Sequence, residues 1–155
     1  METSAVQKMD TNTMVDKIVP VAWLVMEEAM KVGGLHITPS MRAGGAAAKY
    51  VNQSQNTYKG NPIVEGVINA IHREGKQREK VDIKNLDSTE VMKKVDEINP
   101  ILEAEGEQGT QTKNFIYGLA ETMVSASGSG FMGSGKRVNE NESKFLADLK
   151  THLRI

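Results

Sequence analysis

Apolar residues recur every three to four positions along most of this chain, and that spacing is typical of amphipathic helices. In the segment from about residue 12 to residue 32, Met14, Ile18, Val21 and Val25 follow one face, and a second apolar stripe lies beside it. Because the apolar face is so wide, we expect this helix to lie at the centre of the fold.

Capping signals mark where other helices begin. Proline at the first helical position, after a capping residue, predicts starts at Thr38-Pro39 and Asn61-Pro62. Capping-box patterns predict further starts at Asp87, with Glu90 three residues on, and at Asn139, with Glu142. The helices after the first are therefore predicted from 39 onward, from 61 to about 75, from 87 to a loop bracketed by Gly106 and Gly109, from about 110 to 127, and from 139 onward.

Two prolines fall inside predicted helices. Pro20 removes a backbone donor, so it should kink the first helix or start a new one, and Pro100 should kink the fourth. The pattern contains no convincing strand; Val81 and Ile83 alternate too briefly to predict more than a short edge element. The sequence therefore predicts an all-α single domain, an irregular bundle of five to six helices.

The domain is expected to span residues 12–155, after a flexible N-terminus at residues 1–11. Within it, 76–87 reads as a charged connector and 128–138 as a glycine-rich loop. The sequence Gly-Phe-Met-Gly-Ser-Gly-Lys-Arg at 130–137 is one residue short of a phosphate-binding loop, because Arg137 stands where a magnesium-binding hydroxyl should be.

A phosphate-binding loop joins a buried strand to a helix, whose N-terminus supports the phosphates. Here a helical pattern precedes the loop, and the next predicted helix begins several residues after Lys136. We therefore do not expect nucleotide hydrolysis. A tethered connector, pinned to the bundle by Phe131 and Met132, is the favoured interpretation. Simple anion binding is the alternative, with these candidate residues: Gly130, Gly133, Gly135, Lys136 and Arg137.

A family resemblance covers the C-terminal part of the chain. Residues 130–135 resemble the Gly-Gly-Phe-Leu-Gly-Phe-Gly-like loop of small uncharacterised bacterial all-helical proteins, and Val138, Asn139 and Glu142 match the Val-Ser-x-x-Glu-like cap that follows it, with Asn in place of Ser. The layout is also similar to that of tellurite-resistance TerB-like domains. The resemblance implies a helical fold and a stress-response association. The acidic residues associated with metal binding in TerB-like domains have no clear counterpart here.

Composition narrows the class of protein. The chain has no cysteine, which excludes disulfides, thiolate zinc sites and a cysteine nucleophile. Its net charge of −1 gives no bulk attraction to nucleic acid or anionic membranes. No signal peptide or membrane-spanning stretch is visible, so we expect a cytoplasmic protein. Nine methionines are expected to fill the core, the alternative being a methionine-lined partner groove.

Other candidates for chemistry are weak. His36, His72 and His152 lie on three segments without metal-ligand spacing. Glu27-Glu28 is expected to be a solvated helix edge, because adjacent helical residues point about 100° apart. The acidic residues of the fourth helix and its loop fit no calcium loop, and the basic residues at 72–80 are interrupted by Glu74 and Glu79. We expect no catalytic residues, no metal and no cofactor.

Three functional hypotheses follow. The first is a non-enzymatic helical module that acts through protein contacts, with a homo-oligomer or another protein as partner, and without nucleic acid or membrane. The second is an anion or nucleotide binder at 128–137. The third is a metal-responsive stress protein, which is implied by the TerB-like resemblance alone.

Overall fold

The computed structural model describes residues 9–33, 39–78, 83–127 and 140–155. Within these ranges the chain forms helices and turns without a strand, which confirms the all-α prediction. The described residues form six α-helices and one 3-10 turn between the third and fourth of them: α1 Thr11–Val32, α2 Pro39–Thr57, α3 Pro62–Arg78, the turn Ile83–Asn85, α4 Ser88–Glu103, α5 Glu107–Ser127 and α6 Glu140–Leu153.

The helices α1 and α5 form the centre of the bundle. Helix α1 packs against α3, α4, α5 and α6. Helix α5 packs against all five of the other helices. Both helices have a wide apolar face, and side chains such as Ile18, Val25, Phe115 and Leu119 are fully buried between them and the outer helices. The prediction that the first helix is central is therefore confirmed.

Polar side chains cap three of the described helices; the caps at Asn61 and Asp87 were predicted from the sequence, and that at Asp10 was not. The Asp10 carboxylate accepts from the Thr13 backbone N–H at 2.8 Å, and the Asp87 carboxylate accepts from that of Thr89 at 2.9 Å. The buried Asn61 accepts from Ile63 N–H at 3.0 Å. These side-chain acceptors bond backbone groups that the first turn of a helix leaves without an intrahelical partner.

Asn61 also joins two helices. Its amide nitrogen donates to the carbonyl oxygen of Gln108 at 3.0 Å and to Oε1 of Gln111 at 2.9 Å. The start of α3 is thereby fixed against the start of α5.

Several predicted boundaries are wrong. Of the two alternatives predicted for Pro20, a kink or a new helix, the new helix is wrong, because α1 runs through Pro20, whose ring is exposed between the buried Val19 and Val21. Helix α3 continues past Gly75 to Arg78, so the predicted connector 76–87 begins inside a helix, and Ile83 lies in a 3-10 turn. Helix α5 begins at Glu107, which places Gly109 inside it.

Gly106 and Gly109 explain that early start of α5. Gly106 has φ +60°, a conformation that glycine adopts without steric cost, and it turns the chain. A β-carbon on Gly109 would lie 2.6 Å from the carbonyl carbon of Leu102, so only glycine lets α5 approach the end of α4 so closely.

The N-terminal and glycine-rich segments are described only in part. Residues 1–8 lie outside the described residues, but Met9 packs against the core and Thr11 is helical, so the predicted flexible segment 1–11 extends too far. The predicted loop 128–138 and the cap at Asn139 lie outside the described residues, as does Val81. Among the helices that are described, none is long and apolar enough to cross a membrane.

Candidate functional site

The predicted anion-binding residues fall in the segment 128–139, outside the described residues: Gly130, Gly133, Gly135, Lys136 and Arg137. Next to it, the first turn of α6 carries Glu140, which is exposed, and Glu142, which is fully buried. Carboxylates in the first turn favourably oppose the positive end of the helix dipole. The end of α6 that faces the segment is thus already supplied with negative charge.

The structure describes two of the three histidines. His36 lies outside the described residues, His72 is exposed on α3, and Nδ1 of His152 lies 2.7 Å from Oδ1 of Asp96 on α4. In the described part of the chain, no three histidine, aspartate or glutamate side chains are grouped so that they could hold a metal ion.

Glu27 and Glu28 contradict the expectation of a solvated helix edge, because each is only 2% exposed. The reason lies in the tertiary structure. The start of α4 and the turn before it cover the end of α1, and Glu28 Oε2 accepts a hydrogen bond from the Ser88 hydroxyl. A buried carboxylate needs such partners, since burying an isolated charge is very costly.

Lys31 completes this contact between α1 and α4. Its Nζ donates to the carbonyl oxygen of Leu86 at 2.6 Å and to Oγ of Ser88 at 3.0 Å. It also lies 3.1 Å from Oε1 of Glu28, an ion pair without the alignment of a hydrogen bond. We call Glu28, Lys31 and Ser88 the α1–α4 tether.

A serine beside a lysine resembles the dyad of some hydrolases. In the tether, however, Lys31 Nζ donates two hydrogen bonds and forms an ion pair, which are the interactions of a charged ammonium. An ammonium has no lone pair with which to take the proton of Ser88. The tether therefore holds two helices together and does not activate a nucleophile.

A second polar cluster holds α6 against α4 and α5. The buried Lys113 donates to Oε2 of Glu103 at 3.1 Å, and Arg154 NH1 donates to both oxygens of Glu103 at 3.2 and 3.0 Å. The hydrogen bond from Lys113, followed by that from Arg154, lowers the pKa of Glu103. Asn99 adds a hydrogen bond to the carbonyl oxygen of His152. These groups also hold helices together.

An aromatic cluster joins α2 to α5. The Tyr50 ring stacks on Phe115 with centroids 5.7 Å apart, and its hydroxyl donates to the carbonyl oxygen of Phe115 at 3.1 Å. Tyr58 contacts the edge of Phe115 at 6.1 Å. Burial raises the pKa of Tyr50 and of Tyr58 above the ordinary tyrosine value, so both hydroxyls stay protonated. The cluster fixes the position of α2.

The exposed side of α2 is the surface that the sequence analysis missed. Lys49, Asn52, Gln53 and Asn56 follow the i, i+3, i+4, i+7 spacing of one helix face, and all are exposed. Gln55 is exposed beside them. We call these five residues the amide face. It carries neutral hydrogen-bonding groups and one cation, and it has no carboxylate.

A charge pattern in the sequence identifies this face. Residues 29–64 contain four lysines and arginines and no aspartate or glutamate, although a quarter of the chain is charged. Lys49 and Lys59, both exposed, have no ion-pair partner among the described residues. This stretch thus presents positive charge that the described residues do not neutralise by direct pairing.

An excess of acidic over basic residues lies along α4 and the turn that leads into α5. Residues 87–107 contain seven acidic and two basic residues. Glu97 and Glu107 are exposed and Glu105 is half-buried, and we call these three residues the acidic corner. Glu103 is excluded because Lys113 and Arg154 both hydrogen-bond to it, whereas Glu97 forms only an exposed 3.7 Å ion pair with Lys94. Positive and negative charge are therefore concentrated in two different stretches of a chain whose net charge is −1.

No model of a known protein family matches the sequence, no curated protein matches it, and no solved structure matches the fold. The resemblance to TerB-like domains stays a prediction.

Proposed function

We propose that this chain is a non-enzymatic helical module that acts through protein contacts, and that the amide face of α2 is its contact surface. The observation that carries the proposal is the absence of carboxylates from this exposed face, next to two lysines that pair with no acidic group in the described ranges. The centres of protein interfaces are depleted in charged residues. Asparagine and glutamine side chains supply hydrogen bonds that adapt to a partner.

The rigidity of α2 supports the same proposal. Its inner side is held by the Tyr50 hydroxyl on Phe115, and the buried Ser54 hydroxyl donates to the carbonyl oxygen of Tyr50 at 2.8 Å. Just beyond its end, Asn61 is fixed to α5. A surface that is already in its bound conformation loses less entropy when a partner binds. The amide face is thus presented by a helix that is held at its centre and near its C-terminal end.

The polar groups inside the described bundle support a non-enzymatic role. The α1–α4 tether, the Glu103 cluster and Asn61 each join one element to another through hydrogen bonds or ion pairs. These interactions give each of the groups a structural role.

The test uses the full chain immobilised against lysate of its source cells. A variant with Gln53→Glu and Asn56→Glu places two carboxylates on the amide face. A matched control with Asn69→Glu and Asn114→Glu places the same charge on exposed positions of α3 and α5. Equal melting temperatures would establish that all three proteins are folded.

We expect the wild type and the control to retain the same proteins, and the amide-face variant to retain at least tenfold less of them. Like charges brought together in an interface are strongly unfavourable, and a tenfold loss needs only about 1.4 kcal/mol. Retention of the same proteins in equal amounts by all three chains would overturn the proposal.

A further inference from the structure

We infer that the partner of the amide face is a second copy of this chain, which binds it through the acidic corner. This inference rests on the proposed function, because it names the occupant of the same surface. Its basis is charge complementarity within one sequence: residues 29–64 carry four basic and no acidic side chains, and residues 87–107 carry seven acidic and two basic ones.

The charged groups on the two surfaces have similar positions relative to a helix. Lys49 lies on α2, and Lys59 lies in the turn just after this helix. Glu97 lies on α4, and Glu105 lies in the turn just after that helix. Two cations on one copy can thus face two carboxylates on another at the same time.

Apolar and neutral groups lie between the charges on both surfaces. Between Lys49 and Lys59 along the chain, the side chains of Asn52, Gln53 and Asn56 are exposed and neutral, and the ring of Tyr58 is half-buried. On the acidic side, Ile101 is half-buried and Ala104 is exposed between Glu97 and Glu105. An interface with an uncharged centre and a charged rim is the usual anatomy of a protein contact.

The two surfaces differ, so each contact between copies joins unlike partners. A two-fold dimer would form the contact twice, and a head-to-tail ring would form it once at each junction. In both cases the contact between exposed charges should weaken as salt screens them, over a Debye length of about 10 Å at 0.1 M salt. Self-association should therefore be strongest at low ionic strength.

The test combines charge reversal with mixing. One variant carries Lys49→Glu and Lys59→Glu, and the other carries Glu105→Lys and Glu107→Lys. Light scattering at 20 mM and 500 mM salt gives the mass of each variant, of the wild type and of an equimolar mixture of the two variants. A control with Lys17→Glu and Arg73→Glu makes the same charge change on exposed positions of α1 and α3.

We expect the wild type and the control to exceed the 17.0 kDa subunit mass at low salt and to approach it at high salt. Each charge-reversed variant alone should stay at the subunit mass. The mixture should regain the higher mass, because each variant then offers the surface that the other lacks. A wild type that stays at 17.0 kDa at low salt, or a mixture that fails to associate, would overturn the inference.

The two proposals fail in different ways. If the wild type is monomeric while lysate proteins are still lost from the amide-face variant, the self-association is refuted and the protein-contact function stands. If the amide-face variant retains the same lysate proteins and the wild type is also monomeric, both proposals are refuted.

Discussion

The Tyr50 side chain occupies the space that a β-carbon on Gly118 would fill. Such a carbon would lie 2.5 Å from Cζ and 2.9 Å from Cε1 of the tyrosine ring. The ring cannot simply move aside, because it stacks on Phe115 and its hydroxyl donates to the carbonyl oxygen of Phe115. The absence of a side chain at Gly118 therefore lets α2 and α5 pack together.

This contact predicts that replacing Gly118 with alanine changes stability in the direction opposite to that expected for a glycine in a helix. An alanine usually stabilises a helix by about 1 kcal/mol relative to glycine. We expect Gly118→Ala to destabilise the protein instead, by about 1–3 kcal/mol, because the added carbon overpacks the site. In a Tyr50→Ala background the same change should stabilise it. Urea unfolding of the four proteins measures both effects.

Gly75 provides the control. It also lies in a helix, but a β-carbon there would have nothing within 4 Å. Gly75→Ala should therefore raise the free energy of unfolding by up to about 1 kcal/mol. A Gly118→Ala protein as stable as Gly75→Ala would contradict the close packing of Tyr50.

Gly109→Ala should be more damaging than Gly118→Ala. Its β-carbon would meet backbone atoms of Leu102, lying 2.6 Å from the carbonyl carbon and 3.1 Å from Cα, and backbone cannot rotate away as a side chain can. We expect a loss of stability of about 3 kcal/mol, at the upper end for overpacking.

Gly106→Ala tests the turn separately. A β-carbon at Gly106 would have open space, but its φ of +60° should make alanine cost about 1–2 kcal/mol of stability. Thermal unfolding compares Gly109→Ala with Gly106→Ala, and a larger loss of stability for Gly106→Ala would refute the argument.

Lys31→Met should destabilise the bundle more than Glu28→Gln does. Without the ammonium, the buried Glu28 carboxylate keeps only its bond from Ser88, and breaking a buried pair costs about 3 kcal/mol or more. Without the carboxylate, Lys31 is still 23% exposed to water. The double variant should recover more than half of the loss, because no unpaired charge is left. A double-mutant cycle in urea measures the coupling, and simply additive losses would argue against it.

Acid unfolding should depend on Glu103. Lys113 lowers the pKa of this carboxyl below its ordinary value of 4.5, so its stabilisation is fully present at neutral pH and is lost as the pH falls through the lowered pKa. Glu103→Gln should therefore lower the melting temperature at pH 7 and reduce its fall between pH 5 and 3. Glu97→Gln is the control, because Glu97 forms only an exposed 3.7 Å ion pair with Lys94. Equal acid profiles for both variants would contradict the role of Lys113.

The sequence predicted what depends on neighbours within a turn or two of helix. The starts at Asn61-Pro62 and Asp87 and the apolar face of α1 follow from residues a few positions apart, and they are confirmed. The burial of Glu28 could not be predicted in this way, because its partner Ser88 lies 60 residues further along the chain. Gly109 was assigned to a loop because a glycine preference for turns cannot be distinguished locally from a need for close packing.

The amide face could have been found in the sequence. Its signal is the run of 36 residues without a carboxylate, which a residue-by-residue search for motifs overlooks. What the sequence could not supply is the exposure of Asn52, Gln53 and Asn56, since that depends on which side of α2 Tyr50 and Val51 attach to α5. The pattern gives the composition of the face, and tertiary packing decides that it points outward.

The central position of α1 has a consequence for synthesis. This helix leaves the ribosome first among the six, yet it packs against α3, α4, α5 and α6, which all follow it. At about 5–20 residues per second, Glu28 waits roughly 3–12 s for Ser88 to be made. Until then its carboxylate and the apolar side chains beside it lack their native cover, and they form a surface that a chaperone can hold.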